Sequence, residues 1–136
     1  MTRRHALLPD GWPRPSGFSH GVVAAGTRTI SVAGQLGRDR AAGGGLGEGF
    51  LGQWDLSLRN VKDVLAAAGA DGQSIVSMRI YVTDIEEYRS APQETLGRSW
   101  TTHIGVWFPA ITLVEVSGLM HEDALVEIEA TAIVDE

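Results

Sequence analysis

Apolar and polar positions follow a strand-like period in five stretches of the chain. These stretches, which either alternate or cluster β-prone residues, lie at residues 21–26, 29–34, 75–82, 112–116 and 125–134. Residues 26–28 form a tight-turn signal between the first two runs, so those strands are predicted to pair as a hairpin. In the run 75–82, the apolar face is predicted to hold Val76, Met78, Ile80 and Val82. Arg79 is then predicted to point to the opposite face.

Two helices are predicted, the first from its apolar period and the second from its capping residue. Residues 53–68 carry an apolar stripe at helical spacing, and Gly69 is a suitable stop for this helix. The stripe consists of Leu58, Val61, Val64, Leu65 and Ala68. Asp84 is predicted to be the N-cap of a second helix. Pro92 interrupts that helix, which is therefore predicted to bend or to restart there.

The predicted element order is ββαβαββ, which gives an α+β sandwich of one mixed sheet with two helices on one face. The length of 136 residues suits one domain, 1–136, whose proline-rich residues 1–17 are predicted to be an irregular lead-in. Two helices cover only one face of such a sheet. The other face also carries apolar residues, for example Val114 and Val116, and we expect another copy of the chain to cover it.

Composition narrows the functional classes. The hydrophobic fraction of 43% and the absence of a long apolar run predict a globular protein without a membrane span and with a cytoplasmic location. The net charge of −6 and the scattered basic residues disfavour nucleic-acid binding. The chain has no cysteine, and the spacing of His20 and His103 is not that of a metal site, so no metal is expected. The glycine-rich residues 43–45 are predicted to be a flexible connector.

Several short motifs occur together in a fixed order. They lie at residues 18–20, 32–36, 50–61, 64–69, 81–84, 108–110 and 126–129. In order and spacing this set resembles the Rid (YjgF-like, reactive intermediate deaminase) family over residues 15–134. The resemblance implies a chorismate mutase-like fold and a homotrimer with small-molecule pockets at its subunit interfaces. It also implies hydrolysis of enamines and imines, such as 2-aminoacrylate, to a keto acid and ammonia without a cofactor.

The site residues implied by the resemblance are only partly present. Glu127 matches the family glutamate that positions the attacking water, and Gly34 matches the backbone wall of the pocket. Ile111 stands where the family has an arginine that binds the substrate carboxylate. Phe18 replaces a common tyrosine, and Pro92 replaces an asparagine. The specificity is therefore expected to differ from that of the family.

The loss of the arginine has a physical cost. A hydrogen bond to a charged group contributes about 1.5–3 kcal/mol, and Ile111 has no donor to replace it. Thr112, which follows it, is also predicted to contact the substrate. Arg79 has two open interpretations, an ion pair between subunits or a relocated anion-binding group. Trp107 likewise either packs internally or lines the pocket mouth.

Two functions remain open on these residues. One is a Rid-like hydrolase of a small imine or enamine, in which Glu127 positions water and Ile111 shapes an apolar pocket. Glu115 and Glu129, on the last two predicted strands, are the other carboxylates that compete with Glu127 for this role. The other function is a non-catalytic trimer that binds a small molecule in the same pocket.

Overall fold

The computed structural model describes residues 3–135, and its central feature is a four-stranded mixed sheet. Six strands and three helices follow one another along the described chain: β1 Arg3–Leu7, β2 Gly21–Ala25, β3 Arg28–Leu36, α1 Gly49–Ala67, β4 Ile75–Val82, α2 Ile85–Ser90, α3 Gln93–His103, β5 Ala110–Glu115 and β6 Val126–Val134. The predicted α+β class with a mixed sheet is confirmed. The second predicted helix is two helices, so there are three rather than two.

The sheet order is β3-β6-β4-β5, so β6 and β4 are the two central strands. β4 pairs parallel with β5, and the β3–β6 and β4–β6 pairs are antiparallel. Along β6, Val126, Ile128 and Ala130 are buried while the residues between them are partly exposed. One face of the sheet therefore packs against the helices, as period-two alternation requires.

The opposite face of the four-stranded sheet, called the open face below, is mostly polar. By strand register it carries Ser31, Ser77, Arg79, Tyr81, Thr112, Val114, Glu127, Glu129, Thr131 and Ile133. Val114 is 41% exposed there, in line with the prediction that apolar side chains remain on this face. Its other members are mainly hydroxyl and charged side chains.

The predicted hairpin between residues 21–26 and 29–34 is wrong. β2 pairs antiparallel with β1 in a separate two-stranded sheet, with Leu7 opposite Gly21, whereas β3 pairs with β6. The turn at residues 26–28 joins β2 to β3 at the end of β6, where the N–H of Thr27 donates a hydrogen bond to the carbonyl of Val134. The predicted lead-in 1–17 is likewise not irregular throughout. Residues 3–7 form β1, residues 8–17 are irregular, and residues 1, 2 and 136 lie outside the described chain.

Helix α1 supplies much of the core. Leu58, Val61 and Leu65 are fully buried, as their spacing predicts, but Val64 is 38% exposed and lies at the edge of the stripe. The helix ends at Ala67, and Gly69 has a φ of 75°, which suits a glycine after a helix.

The second helical segment begins and breaks at the predicted residues. The carboxylate of Asp84 accepts a hydrogen bond from the N–H of Glu86 at 3.0 Å, which confirms the N-cap. Pro92 stands at the N-cap of α3, so the helix restarts there. Since proline has no N–H to donate and fixes its own φ, the break follows from its chemistry.

Strand β4 contains an irregularity that the alternation did not show. Its register with β6 shifts between Ile75 and Ser77, so Ile75 is fully buried and Val76 is only partly buried. Met78, Ile80 and Val82 are in the core as predicted. The extra residue of the bulge explains why Val76 leaves the apolar face.

The glycine-rich segment is folded rather than a flexible connector. Arg38 and Leu46 form an isolated antiparallel bridge, and Asp39 receives the side chain of Arg59 at 2.9 Å. The Arg38 guanidinium donates to the carbonyl of Gly44 at 2.9 Å. Gly43 and Gly44 have φ values of 88° and 81°, a conformation that glycine adopts without strain. Within residues 3–135, no helix is long and apolar enough to cross a membrane.

Candidate active site

A bulge in β3 brings Gly34 against Glu127. The β3–β6 register shifts between Val32 and Gln35, and Leu36 lies opposite Glu127. A Cβ built on Gly34 would overlap the carboxylate of Glu127. The bulge therefore turns position 34 toward the open face, and only a glycine leaves room for the Glu127 side chain.

The three strand carboxylates are not equivalent. Glu129 accepts the hydroxyl of Tyr81 at 2.5 Å, and Glu115 accepts the backbone N–H of Ile85 at 2.9 Å. Glu127 is partly buried, and its side chain makes no hydrogen bond or ion pair with any residue in the range 3–135. Of the three, it is the carboxylate whose oxygens are available to hold a water or a ligand.

Arg79 and Thr112 lie beside these carboxylates on the open face. Arg79 is opposite Glu129 on one side and Thr112 on the other, and both Arg79 and Thr112 are exposed. The pKa of Tyr81 is raised above 10.0, first by its hydrogen bond to Glu129 and then by desolvation and by the charges of Glu129 and Glu127, which Arg79 opposes. The positive charge of Arg79 is thus next to carboxylates of its own chain.

Ile111 lies on the other face of the sheet. Its strand partner is the buried Met78, and its side chain packs partly against the core. It lines a cleft of about 500 Å³ between β5 and the helices. We call this the aromatic cleft; its lining includes Phe18, Trp54, Tyr88, Leu96, Trp100, Phe108, Ile111 and Leu113.

No charged side chain of the described residues lines the aromatic cleft. Polar groups come from Ser16, Gln93 and the phenol of Tyr88, whose pKa burial raises above 10.0. Trp100 and Phe108 stack with ring centroids 5.6 Å apart, so part of the wall is held rigidly. The cleft suits an uncharged, flat or apolar group.

Phe18 stands at the edge of the sheet where several cavities meet. It lines the aromatic cleft, a groove with Arg79 and Thr112, and a third groove. We call the third groove the N-terminal groove; it is lined by residues 6–8, 14–20 and 106–108. Its ring is 37% exposed and makes an edge-to-face contact with His20 at 5.2 Å. The neighbouring Ser19 is held by a bridge to Ala110.

Trp107 is placed mainly by internal contacts. Its indole N–H donates to the carbonyl of Ile75 at 2.7 Å, and the guanidinium of Arg4 lies 4.4 Å from its ring centroid. It borders the N-terminal groove rather than the aromatic cleft. Pro92 acts as the helix N-cap, and its neighbour Gln93 lines the cleft instead.

The residues selected from the sequence therefore fall into two groups within one chain. Gly34, Arg79, Thr112 and Glu127 are on the open face, whereas Ile111 is on the helix face. Since a β-sheet separates its two faces, Glu127 of one chain does not face its own Ile111. Within the described chain, the candidate residues therefore form two separate groups.

Sequence reasoning missed the residues that the helices bring to the cleft. Tyr88, Gln93 and Trp100 come from α2 and α3, and Arg14 borders the N-terminal groove. Tyr88 and Trp100 are marked only by their aromatic character, which is as typical of a core as of a site, and Gln93 and Arg14 carry no sequence signal. Within residues 3–135, no three acidic or histidine side chains gather as metal ligands would.

Comparisons with known proteins agree over most of the chain. Residues 13–134 match the family model described as Endoribonuclease L-PSP. A 2-iminobutanoate/2-iminopropanoate deaminase from Capra hircus is 32% identical over 106 residues, which cover 78% of this chain and 73% of that protein. A RutC family protein from Pyrococcus horikoshii is 27% identical over 129 residues, which cover 95% of this chain and 97% of that protein.

Solved structures share the fold. The chain is similar to YyfB of Yersinia pestis, a Rid family protein described as of unknown function, with a TM-score of 0.78, 30% identity and coverage of 96% and 98% of the two chains. It is also similar to E. coli TdcF, solved with bound serine, with a TM-score of 0.68, 25% identity and coverage of 95% and 98%.

Proposed function

Because the chain belongs to the Rid (YjgF-like) family, we propose that it hydrolyses the C=N bond of a small imine, or of the imine tautomer of an enamine. The observation that carries this proposal is the state of the Glu127 carboxylate, which is packed over Gly34 and has no hydrogen-bond partner among the described residues. Glu115 and Glu129 are occupied by other groups, so Glu127 is the carboxylate left for water.

In the proposed reaction, the Glu127 carboxylate accepts a proton from water as the water oxygen attacks the imine carbon. The resulting carboxylic acid returns this proton to nitrogen. This gives a neutral carbinolamine. The Glu127 carboxylate then takes the proton of the carbinolamine hydroxyl and delivers it to the amino nitrogen as the C–N bond breaks, so that ammonia leaves and the hydroxyl carbon becomes a carbonyl. One imine and one water give one carbonyl compound and one ammonia, so the step needs no oxidant or cofactor.

The active assembly is proposed to be a homotrimer. Glu127 and Ile111 occupy opposite faces of one sheet, so a complete site requires the open face of one copy to meet the aromatic cleft of the next. Phe18 and Ile111 both border the groove that reaches around the edge strand β5 to Thr112, which gives a route between the two halves. Closed symmetric assemblies of this kind bury such surfaces in equivalent interfaces.

The substrate is proposed to lack a carboxylate on the reacting carbon. In place of a cation, Ile111 presents a methyl surface to a cleft without charged lining, and a carboxylate there would be desolvated without a partner. Hydrolysis of 2-aminoacrylate, for which the family arginine is suited, is expected to be weak or absent.

The Glu127→Gln variant tests the catalytic assignment. It preserves size but removes the base, and turnover of any imine that the wild type hydrolyses is expected to fall about 10²-fold or more. Glu122→Gln, an exposed position with the same change of charge, is the control and should retain activity. Unchanged turnover in Glu127→Gln would show that the assignment is wrong, while a loss in Glu129→Gln alone would transfer the role to that residue.

A second candidate is a trimer that binds a small molecule without transforming it. It is favoured by the aromatic cleft itself, which is lined by Trp54, Trp100 and Phe108 and to which the described residues contribute no ionisable group other than a phenol. A metabolite screen by thermal shift separates the two functions. A ligand that raises the melting temperature and is recovered unchanged supports binding, and release of ammonia with time supports hydrolysis.

A further inference from the structure

The groove next to the aromatic cleft differs from it in charge. This N-terminal groove has a volume of about 420 Å³ and lies between the lead-in segment and residues 106–108. Its ionisable lining groups among the described residues are Arg14 and His20. Residues 16–18 and Phe108 border both cavities, so a ligand that fills the aromatic cleft and extends past Phe18 enters a region with a cation.

Arg14 is suited to bind an anion at this place. Its side chain is exposed, and it makes no hydrogen bond or ion pair with any residue of the described range 3–135. Its guanidinium donors are therefore available, and guanidinium binds carboxylates through two parallel hydrogen bonds. His20 is engaged with aromatic rings, at 4.9 Å from Trp12 and 5.2 Å from Phe18, and forms part of the wall.

Arg79 is the less suitable cation of the two. It lies directly opposite Glu129 in the sheet and shares the open face with Glu127, so two carboxylates of its own chain are nearby although it forms an ion pair with neither. An added carboxylate at that position would meet these two negative charges. The same argument does not apply to Arg14, because no carboxylate of the described residues lines its groove.

We propose that the ligand carries an apolar or aromatic body and a carboxylate remote from it, with the body in the aromatic cleft and the carboxylate on Arg14. This proposal rests on the proposed function only for the location of the binding site. It assigns the anion to the lead-in segment instead of to position 111. With Ile111 in place of the family arginine, the substrate still carries an anionic group, but this group is remote from the reacting carbon.

Binding of two unreactive probes tests the assignment. They are 3-phenylpropanoate and the neutral 3-phenylpropan-1-ol, which share a body and differ in the anion. Isothermal titration calorimetry with the full chain is expected to show the acid binding about three- to tenfold more tightly than the alcohol at low ionic strength, since Arg14 is exposed. Added salt should reduce the preference.

In Arg14→Gln this preference is expected to disappear while the affinity for the alcohol stays the same. Arg14→Lys should keep part of it, because the charge remains and the two-point geometry is lost. Arg40→Gln removes an exposed arginine that borders neither cavity and should behave like the wild type.

A preference for the acid that survives in Arg14→Gln would overturn the proposal, and its loss in Arg79→Gln would then assign the anion to that residue. Equal affinity of the wild type for both probes would overturn the proposal as well. The probes are not hydrolysed, so the same titrations in Glu127→Gln separate this proposal from the catalytic one. A protein that fails to hydrolyse imines but shows the Arg14-dependent preference contradicts only the proposed reaction.

Discussion

Replacing Ile111 by arginine should restore activity on a substrate with a carboxylate on the reacting carbon. The side chain at position 111 lines the aromatic cleft, where the described chain supplies no other cation. A charge-assisted hydrogen bond contributes about 1.5–3 kcal/mol, which corresponds to a factor of about ten to a hundred. We therefore expect kcat/KM for 2-aminoacrylate to rise by about that factor in Ile111→Arg.

The same substitution should lower stability by a modest amount. Ile111 is half-buried and packs against the core. Burying a whole aliphatic side chain contributes about 1.5–3 kcal/mol, so losing roughly half of it costs about 1 kcal/mol. In a domain of this size that lowers the melting temperature by about 3–5 °C. The variant is thus expected to remain folded under assay conditions.

The assay generates 2-aminoacrylate in situ and follows ammonia or keto-acid release, with Ile111→Met as the matched control of similar volume and no charge. The methionine variant should resemble the wild type. The reasoning is refuted if the folded arginine variant gains nothing over Ile111→Met. It is also refuted if the wild type already hydrolyses 2-aminoacrylate rapidly, because another cation then binds its carboxylate.

Two further outcomes follow from the geometry. Gly34→Ala places a Cβ into the carboxylate that packs over it, so activity should fall about 10²-fold with an unchanged circular dichroism spectrum, whereas Gly45→Ala, which meets no atom within 4 Å, should retain activity. The second outcome concerns the two tyrosines of the chain. A hydrogen bond to a carboxylate raises the pKa of Tyr81, and burial raises the pKa of Tyr88. In an alkaline absorbance titration, both should therefore ionise above pH 10.0. Their contribution to stability is present below pH 10.0 and is lost as the pH rises through the raised values; a native-state transition below pH 10.0 would contradict this.

Local patterns predicted the elements well and their pairing less well. The alternation of β6, the cap at Asp84 and the break at Pro92 depend on neighbouring residues, and the structure confirms all three. The hairpin prediction failed because β2 pairs with β1, a strand that has no alternation of its own. The bulge after Ile75 was also missed, since an extra residue in a strand leaves no mark on hydrophobic period.

Strand alternation predicted which way the side chain of Glu127 points, but not how the residues of the candidate site come together. Strand parity alone indicated that Glu127 points away from Val126 and Ile128, and it does. Its contact with Gly34 depends on a bulge between two strands far apart in sequence. The cleft around Ile111 depends on how α2 and α3 pack, which is tertiary information.

The bulge in β3 divides this strand into two parts with different roles. Up to Val32, every second residue faces the core; beyond it, the phase reverses and Gly34 faces Glu127. Deleting Ala33 would leave one residue instead of two between Val32 and Gln35, which removes the bulge while the flanking pairs with Ala130 and Ile128 keep their faces. Such a deletion is therefore a different kind of lesion from a core mutation. It would leave the hydrophobic half of the strand unchanged and alter only the bulged backbone that places Gly34 against Glu127, so single-residue length changes at this point are more informative about function than most substitutions.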